Sequence, residues 1–216
     1  MSKVLLIHGS TVALQYSIFK KADTKYGCFL GVKDLIDDKK VDLHFWGKTG
    51  VVARFWELHK ILNLYLWEKN QVYTNSNLAK KLFQEIVDKK YTTIICHSMG
   101  GELLFETINQ YGLPKGVTNI YTLASDSPRN GILKNTETLN RLEKNQLTWT
   151  NYNCYWDPSL LTSSLLNLKF PAGLIGIQAN YKVKNIFYPL LGRLDLHTSI
   201  IKVPTKIKDI CIKHLN

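Results

Sequence analysis

Residues 91–101 read YTTIICHSMGG and constrain this chain more than any other stretch. Residues of strand character, Thr92 to Cys96, run directly into His97-Ser98-Met99-Gly100-Gly101. Behind them Glu102-Leu103-Leu104-Phe105-Glu106 has helix-forming composition. A strand, a one-residue corner bearing a serine, then a helix is the layout of a nucleophile elbow, which pushes a hydroxyl out beyond the end of a sheet. Strand and helix backbones pass so close at such a corner that small residues must flank it. Gly100 and Gly101 supply them on one side, and Cys96 stands where a glycine is usual on the other. An ordinary helix N-cap is the plainer role open to Ser98.

The rest of the sequence alternates strand-like and helix-like segments, which predicts an α/β fold with a mostly parallel sheet of about six strands and helices on both faces. Strands are expected at 3–7, 41–46, 92–96, 117–123, 147–155 and 183–188, and helices at 29–37, 76–89, 101–111, 158–168 and 205–215. The segment 76–89 is the clearest helix, with Leu78, Leu82, Phe83, Ile86 and Val87 at helical spacing. No repeat or linker interrupts the pattern, so residues 1–216 read as a single domain. Residues 16–26 and 51–70 look inserted. In the second, Phe55, Leu58, Leu62, Tyr65 and Leu66 mark one face of a helix, and Trp56 and Trp67 add aromatic surface. Either a core helix or a lid beside a site has this pattern. Residues 169–180, with Pro171, Gly173 and Gly176, read as an irregular loop near the site.

A serine hydroxyl needs a base to take its proton and a carboxylate to orient that base. In the elbow arrangement these follow in the order serine, acid, histidine. Only His197 and His214 lie beyond the later strands. His214 falls inside the last helix pattern and is expected to face solvent. His197 sits in a loop after the last predicted strand, where a ring reaching over the sheet end belongs. Between serine and histidine stand Asp126, Asp157 and Asp195. Asp157 ends a strand and precedes Pro158, so it suits both a helix cap and an orienting carboxylate. Asp126 is the alternative acid, and Asp195 is only two residues from His197. The backbone N–H of Met99 and that of Ser10, after His8-Gly9 at the first strand's end, are the expected oxyanion donors.

Composition narrows the partners. The net charge of +11 favours anionic ones, but the lysines are scattered and no nucleic-acid motif is present. Cys28, Cys96, Cys154 and Cys211 are widely spaced, which predicts reduced thiols and no metal site. No cofactor is implied. MSKVLLIHGS lacks the apolar length and cleavage pattern of a secretory leader, so the expected location is cytoplasmic.

These residues resemble the α/β-hydrolase superfamily, and more narrowly the small bacterial lipases of the lipase A type. Ile7-His8-Gly9 is similar to the family's oxyanion loop, and 29–33 (FLGVK) to its first helix. FWGKTG at 45–50 is similar to a stretch after its second strand. Cys96 to Gly101 resembles its elbow, where alanine often replaces the first glycine, and 119–123 (NIYTL) resembles the next strand. Tyr155-Trp156-Asp157 falls where its acid stands, and His197 where its histidine does. The resemblance implies an α/β-hydrolase fold lacking the N-terminal antiparallel hairpin, with Ser98, Asp157 and His197 as a triad and Met99 and Ser10 as oxyanion donors. Those lipases are secreted and essentially lidless, whereas this chain shows no leader and carries the extra 51–70. Its Gly9 is also followed by Ser10-Thr11-Val12 without a second glycine.

The activity expected is serine esterase or lipase-like hydrolysis of a small-molecule acyl ester, with lipid as one substrate class and an anionic membrane as a peripheral contact. The alternatives are acyl transfer by the same residues and a non-catalytic module binding a membrane or a protein.

Overall fold

The computed structural model describes residues 3–10, 25–27, 29–46, 58–188, 197 and 204–215. Among them six strands form one sheet: β1 Val4–Ile7, β2 Val41–His44, β3 Thr93–His97, β4 Asn119–Leu123, β5 Thr148–Asn153 and β6 Lys184–Phe187. Every pairing is parallel, in the order β2-β1-β3-β4-β5-β6. A 3-10 turn, Leu30–Val32, leads into α1, Lys33–Asp37. Then come α2 Leu58–Thr74, α3 Ser76–Lys89, α4 Met99–Tyr111 and α5 Thr136–Glu143. The last helices are α6 Pro158–Asn167, the short α7 Ala172–Ile175 and α8 Pro204–Ile212. No described helix is long and apolar enough to cross a membrane.

The near-continuous apolar strands follow from burial on both faces. Leu5 and Ile7 of β1 join Ile94 and Cys96 of β3 in packing against Leu82 and Ile86 of α3 and Leu103, Leu104 and Ile108 of α4. Val4, Leu6 and Ile95 point the other way, against Val32, Leu35, Ile207 and Cys211. Each fully buried aliphatic side chain of this kind contributes roughly 1.5–3 kcal/mol relative to an exposed one.

The strand order fixes where a site can form. From β1 the chain moves outward to β2, then returns to place β3 on the other side of β1. The two connections leave in opposite directions, and a crevice opens beyond the carboxyl ends of β1 and β3. Those ends carry residues 8–10 and 97–98.

All six expected strands are present, each within a few residues of its expected bounds. The helix expected at 29–37 divides into the 3-10 turn and α1, because Val32, with φ −128°, breaks the helical run. Helix α5 is an addition to the expected set. It is only eight residues long with two apolar residues, Leu139 and Leu142, and it is started by the Asn135 side chain, which accepts from Thr138 N–H. Residues 169–180 are less irregular than expected, since they contain α7. A Cβ on Gly173 would lie 2.5 Å from the Ala124 carbonyl carbon and the Ser125 nitrogen, so glycine lets α7 lie against the chain leaving β4.

Helix α2 corrects the reading of 51–70. Its inward side carries Leu64, Glu68 and Val72, with Tyr65 partly buried, while Leu66 and Trp67 face out. Of the stripe drawn through Phe55, Leu58, Leu62, Tyr65 and Leu66, Tyr65 packs partly buried against the core and Leu66 is exposed. The helix packs over polar loops as well as the core, and apolar periodicity cannot detect a buried face that includes a glutamate. Phe55 and Trp56 lie outside the described residues, as do Thr11, Val12, Cys28 and Asp195. His214 also departs from expectation: it is partly buried and bonded to the Tyr121 hydroxyl at 2.9 Å.

Candidate active site

Strand β3 delivers Ser98 at the corner before α4. Its backbone is forced to φ +53° and ψ −128°, a conformation side-chain-bearing residues rarely adopt. Three backbone hydrogen bonds hold the corner. Ser98 N–H donates to Leu123 O at 3.0 Å, and Asp126 N–H and Gly101 N–H both donate to Ser98 O at 3.0 Å. The glycines are sterically required. A Cβ on Gly100 would lie 2.5 Å from the His8 carbonyl oxygen, and one on Gly9 would lie 2.9 Å from Ser98 Cβ. Ser98 occupies the N-cap position of α4, but its side chain makes no capping bond. The plain capping role is thereby removed.

The hydroxyl turns to His197 instead. Ser98 Oγ lies 2.9 Å from His197 Nε2, and His197 Nδ1 lies 2.7 Å from Asp157 Oδ2. With Nδ1–H donated to the carboxylate, Nε2 is left to accept the serine proton. Asp157 is fully buried and makes contacts with both carboxylate oxygens. Oδ1 caps α6 by accepting from Ser159 N–H at 3.0 Å and Leu160 N–H at 3.1 Å, while Oδ2 faces the imidazole. The cap fixes the carboxylate that orients the ring.

Asp126, the alternative acid, is committed elsewhere. It accepts from Tyr65 at 2.6 Å, from Ser163 at 2.5 Å and from Lys69 at 3.1 Å. Met99 and Ser10 are both buried, at the ends of β3 and β1. Met99 is the first residue of α4, so its N–H has no acceptor within the helix. The Ser10 hydroxyl donates to Glu68 of α2, which ties the turn after β1 to that helix.

Several residues here escaped sequence reasoning. His97 is fully buried, its Nε2–H donates to the His197 carbonyl at 2.9 Å, and the two rings lie 4.8 Å apart. Its position inside the elbow motif was the available signal. Trp46 Nε1–H donates to the His8 carbonyl at 2.6 Å and so orients the peptide at the end of β1. Burial lowers the His8 imidazole to a pKa of about 4, so that ring is neutral.

Helix α2 also brings charge into the interior. Lys69 reaches Asp126 and, at 3.4 Å, Glu102, which also receives the Tyr73 hydroxyl. Glu102 stands in the first turn of α4 and is fully buried. Burial pushes its carboxyl up to about 8, overriding the downward pull of the Lys69 ammonium. No local pattern in the sequence announces this cluster. Among the described residues no group of three or more His, Cys, Asp or Glu side chains is arranged to hold a metal ion. Cys96, Cys154 and Cys211 are free and buried.

No protein-family model matches the chain, and no curated protein matches its sequence significantly.

Proposed function

We propose that this protein is a serine hydrolase of the α/β-hydrolase type that cleaves carboxylic esters through an acyl-enzyme. The carrying observation is that one imidazole, His197, lies within hydrogen-bond reach of both Ser98 and Asp157. His197 takes the Ser98 proton as Oγ attacks the ester carbonyl, then returns it to the leaving alcohol. Water, deprotonated by the same ring, attacks the acyl-enzyme, and the acid product leaves as Ser98 regains its proton. Asp157 holds the ring's tautomer and stabilises the imidazolium. The N–H groups of Met99 and Ser10 receive the oxyanion, the first from the start of a helix and the second from the turn after the neighbouring strand.

The all-parallel sheet and the switch point between β1 and β3 support the fold assignment, as does the strained serine corner at that point. The three buried free thiols are in keeping with a reducing compartment such as the cytoplasm. The test combines a fluorophosphonate probe with p-nitrophenyl esters of graded acyl length. Wild type should be labelled and should turn the esters over, and Ser98→Ala should do neither. Folded wild-type protein that resists labelling would sink the reading.

A further inference from the structure

Helix α6 buries one leucine, Leu160, on an otherwise polar inner face. Its inward face carries Ser163 and Asn167, hydrogen-bonded to Tyr65 of α2, and Ser163 also donates to Asp126. Leu160 is buried against Ala124 and Leu174, but the other leucines of this segment are exposed. Leu161 and Leu165 lie four residues apart on the helix and Leu168 follows at its left-handed C-cap, with Leu165 79% and Leu168 92% exposed. Phe170 continues the ridge at 62%, and Trp156 stands at the opposite end at 73%. The backbone holds these side chains out. Arg129 N–H donates to the Phe170 carbonyl at 2.9 Å, and Pro128 bridges to Pro171. Exposed large apolar side chains concentrated in one short segment, 161–170, mark an interaction surface, because single scattered ones need no partner.

We propose that this ridge docks the protein onto anionic phospholipid bilayers. Charge complementarity selects the occupant. No acidic residue occurs between 158 and 170, Lys169 sits between Leu168 and Phe170, and the chain carries +11 overall. Beside the ridge lies a pocket of about 240 Å³ lined by Leu66, Lys69, Asn70, Tyr73, Asn167 and Lys169. Leucine tips reach the acyl region, Lys169 snorkels to the headgroups, and Trp156 takes the amphipathic boundary position. The ridge begins next to Asp157, so a docked bilayer lies against the edge of the Ser98 site.

The experiment is vesicle flotation of the full chain, with phosphatidylcholine alone and with phosphatidylglycerol added. Wild type should float with the anionic vesicles, and added salt should weaken binding. Leu165→Ser/Leu168→Ser should reduce partitioning about tenfold or more, and Lys169→Glu should reduce it on anionic vesicles selectively. Both substitutions are at exposed positions, and far-UV circular dichroism checks the fold. Equal flotation of wild type and the double variant overturns the proposal. So does a wild type that binds neither vesicle, or one that binds both equally. A concentration-dependent dimer abolished by the double substitution, with no flotation, would give the ridge to a second copy instead. Flotation needs no ester turnover and can be repeated with Ser98→Ala, so its failure and failure of the hydrolase reading are separate results.

Discussion

Asp157 and His197 are 40 residues apart in the chain and meet at 2.7 Å, with the carboxylate held by the helix it caps. One oxygen serves the helix and the other serves the ring, so substitutions can separate the two duties. Asp157→Asn keeps a capping oxygen and removes the charge opposite Nδ1. Ester turnover should fall by about 10³–10⁴-fold with little change in stability. Asp157→Ala should lose as much activity and, in addition, about 1 kcal/mol of stability. Steady-state kinetics and urea denaturation of both variants check this.

The corner at Ser98 stores backbone strain, since φ is +53° at a residue with a side chain. Ser98→Gly and Ser98→Ala should both be inert to the fluorophosphonate. The glycine variant should be the more stable of the two by about 1 kcal/mol, because only glycine takes this conformation without a Cβ clash. Equal urea midpoints for the two would refute the strain.

Gly100 admits no side chain. An alanine Cβ there would sit 2.5 Å from the His8 carbonyl oxygen and 2.8 Å from that of Ile7, both rigid backbone. Gly100→Ala should cost on the order of 3 kcal/mol. Gly116→Ala, where nothing lies within 4 Å of the added carbon, provides the control and should be near neutral. Thermal melts of the pair decide it.

His97 positions His197 by donating to its carbonyl. His97→Phe fills similar space without the donor, and kcat should fall by about 10–100-fold while KM changes little. His97→Gln restores an N–H near the original Nε2 and should recover much of the loss. A purely structural role would lower stability in both variants without that rescue.

Glu102 makes stability depend on pH. Its carboxyl titrates near 8 when folded, against an ordinary value of 4.5, so between these values the folded chain holds a proton that the unfolded chain has lost. The stabilisation is complete below pH 4.5 and is lost as pH rises through 8, by up to about 1.4 kcal/mol per unit. Glu102→Gln should flatten this slope, gaining relative to wild type from pH 5 to pH 8. Denaturation curves across that range read the difference directly.

The elbow was legible in the sequence because its constraints are local. Strand residues, a serine and two glycines within eleven positions leave the backbone few options, and alternating segments announce a parallel sheet. The partners His197 and Asp157 were within reach of elimination, because few histidines and aspartates follow the serine. What could not be read was everything that depends on side chains meeting across the fold. The polar part of the inner face of helix α2 was missed because Glu68 and Lys69 reach Ser10, Asp126 and Glu102, against the rule of apolar periodicity. Helix α6 departs from it too, burying Ser163 beside Leu160 while Leu161 and Leu165 stay exposed.

The serine-bearing corner at Ser98 follows from the sequence alone, through steric necessity at one turn. Its alignment with His197 and Asp157, the rejection of Asp126 and the neutral carboxyl of Glu102 were decided by the tertiary structure. Burial and proximity between distant segments set hydrogen-bond partners and proton affinities, and neither is a property of neighbouring residues along the chain.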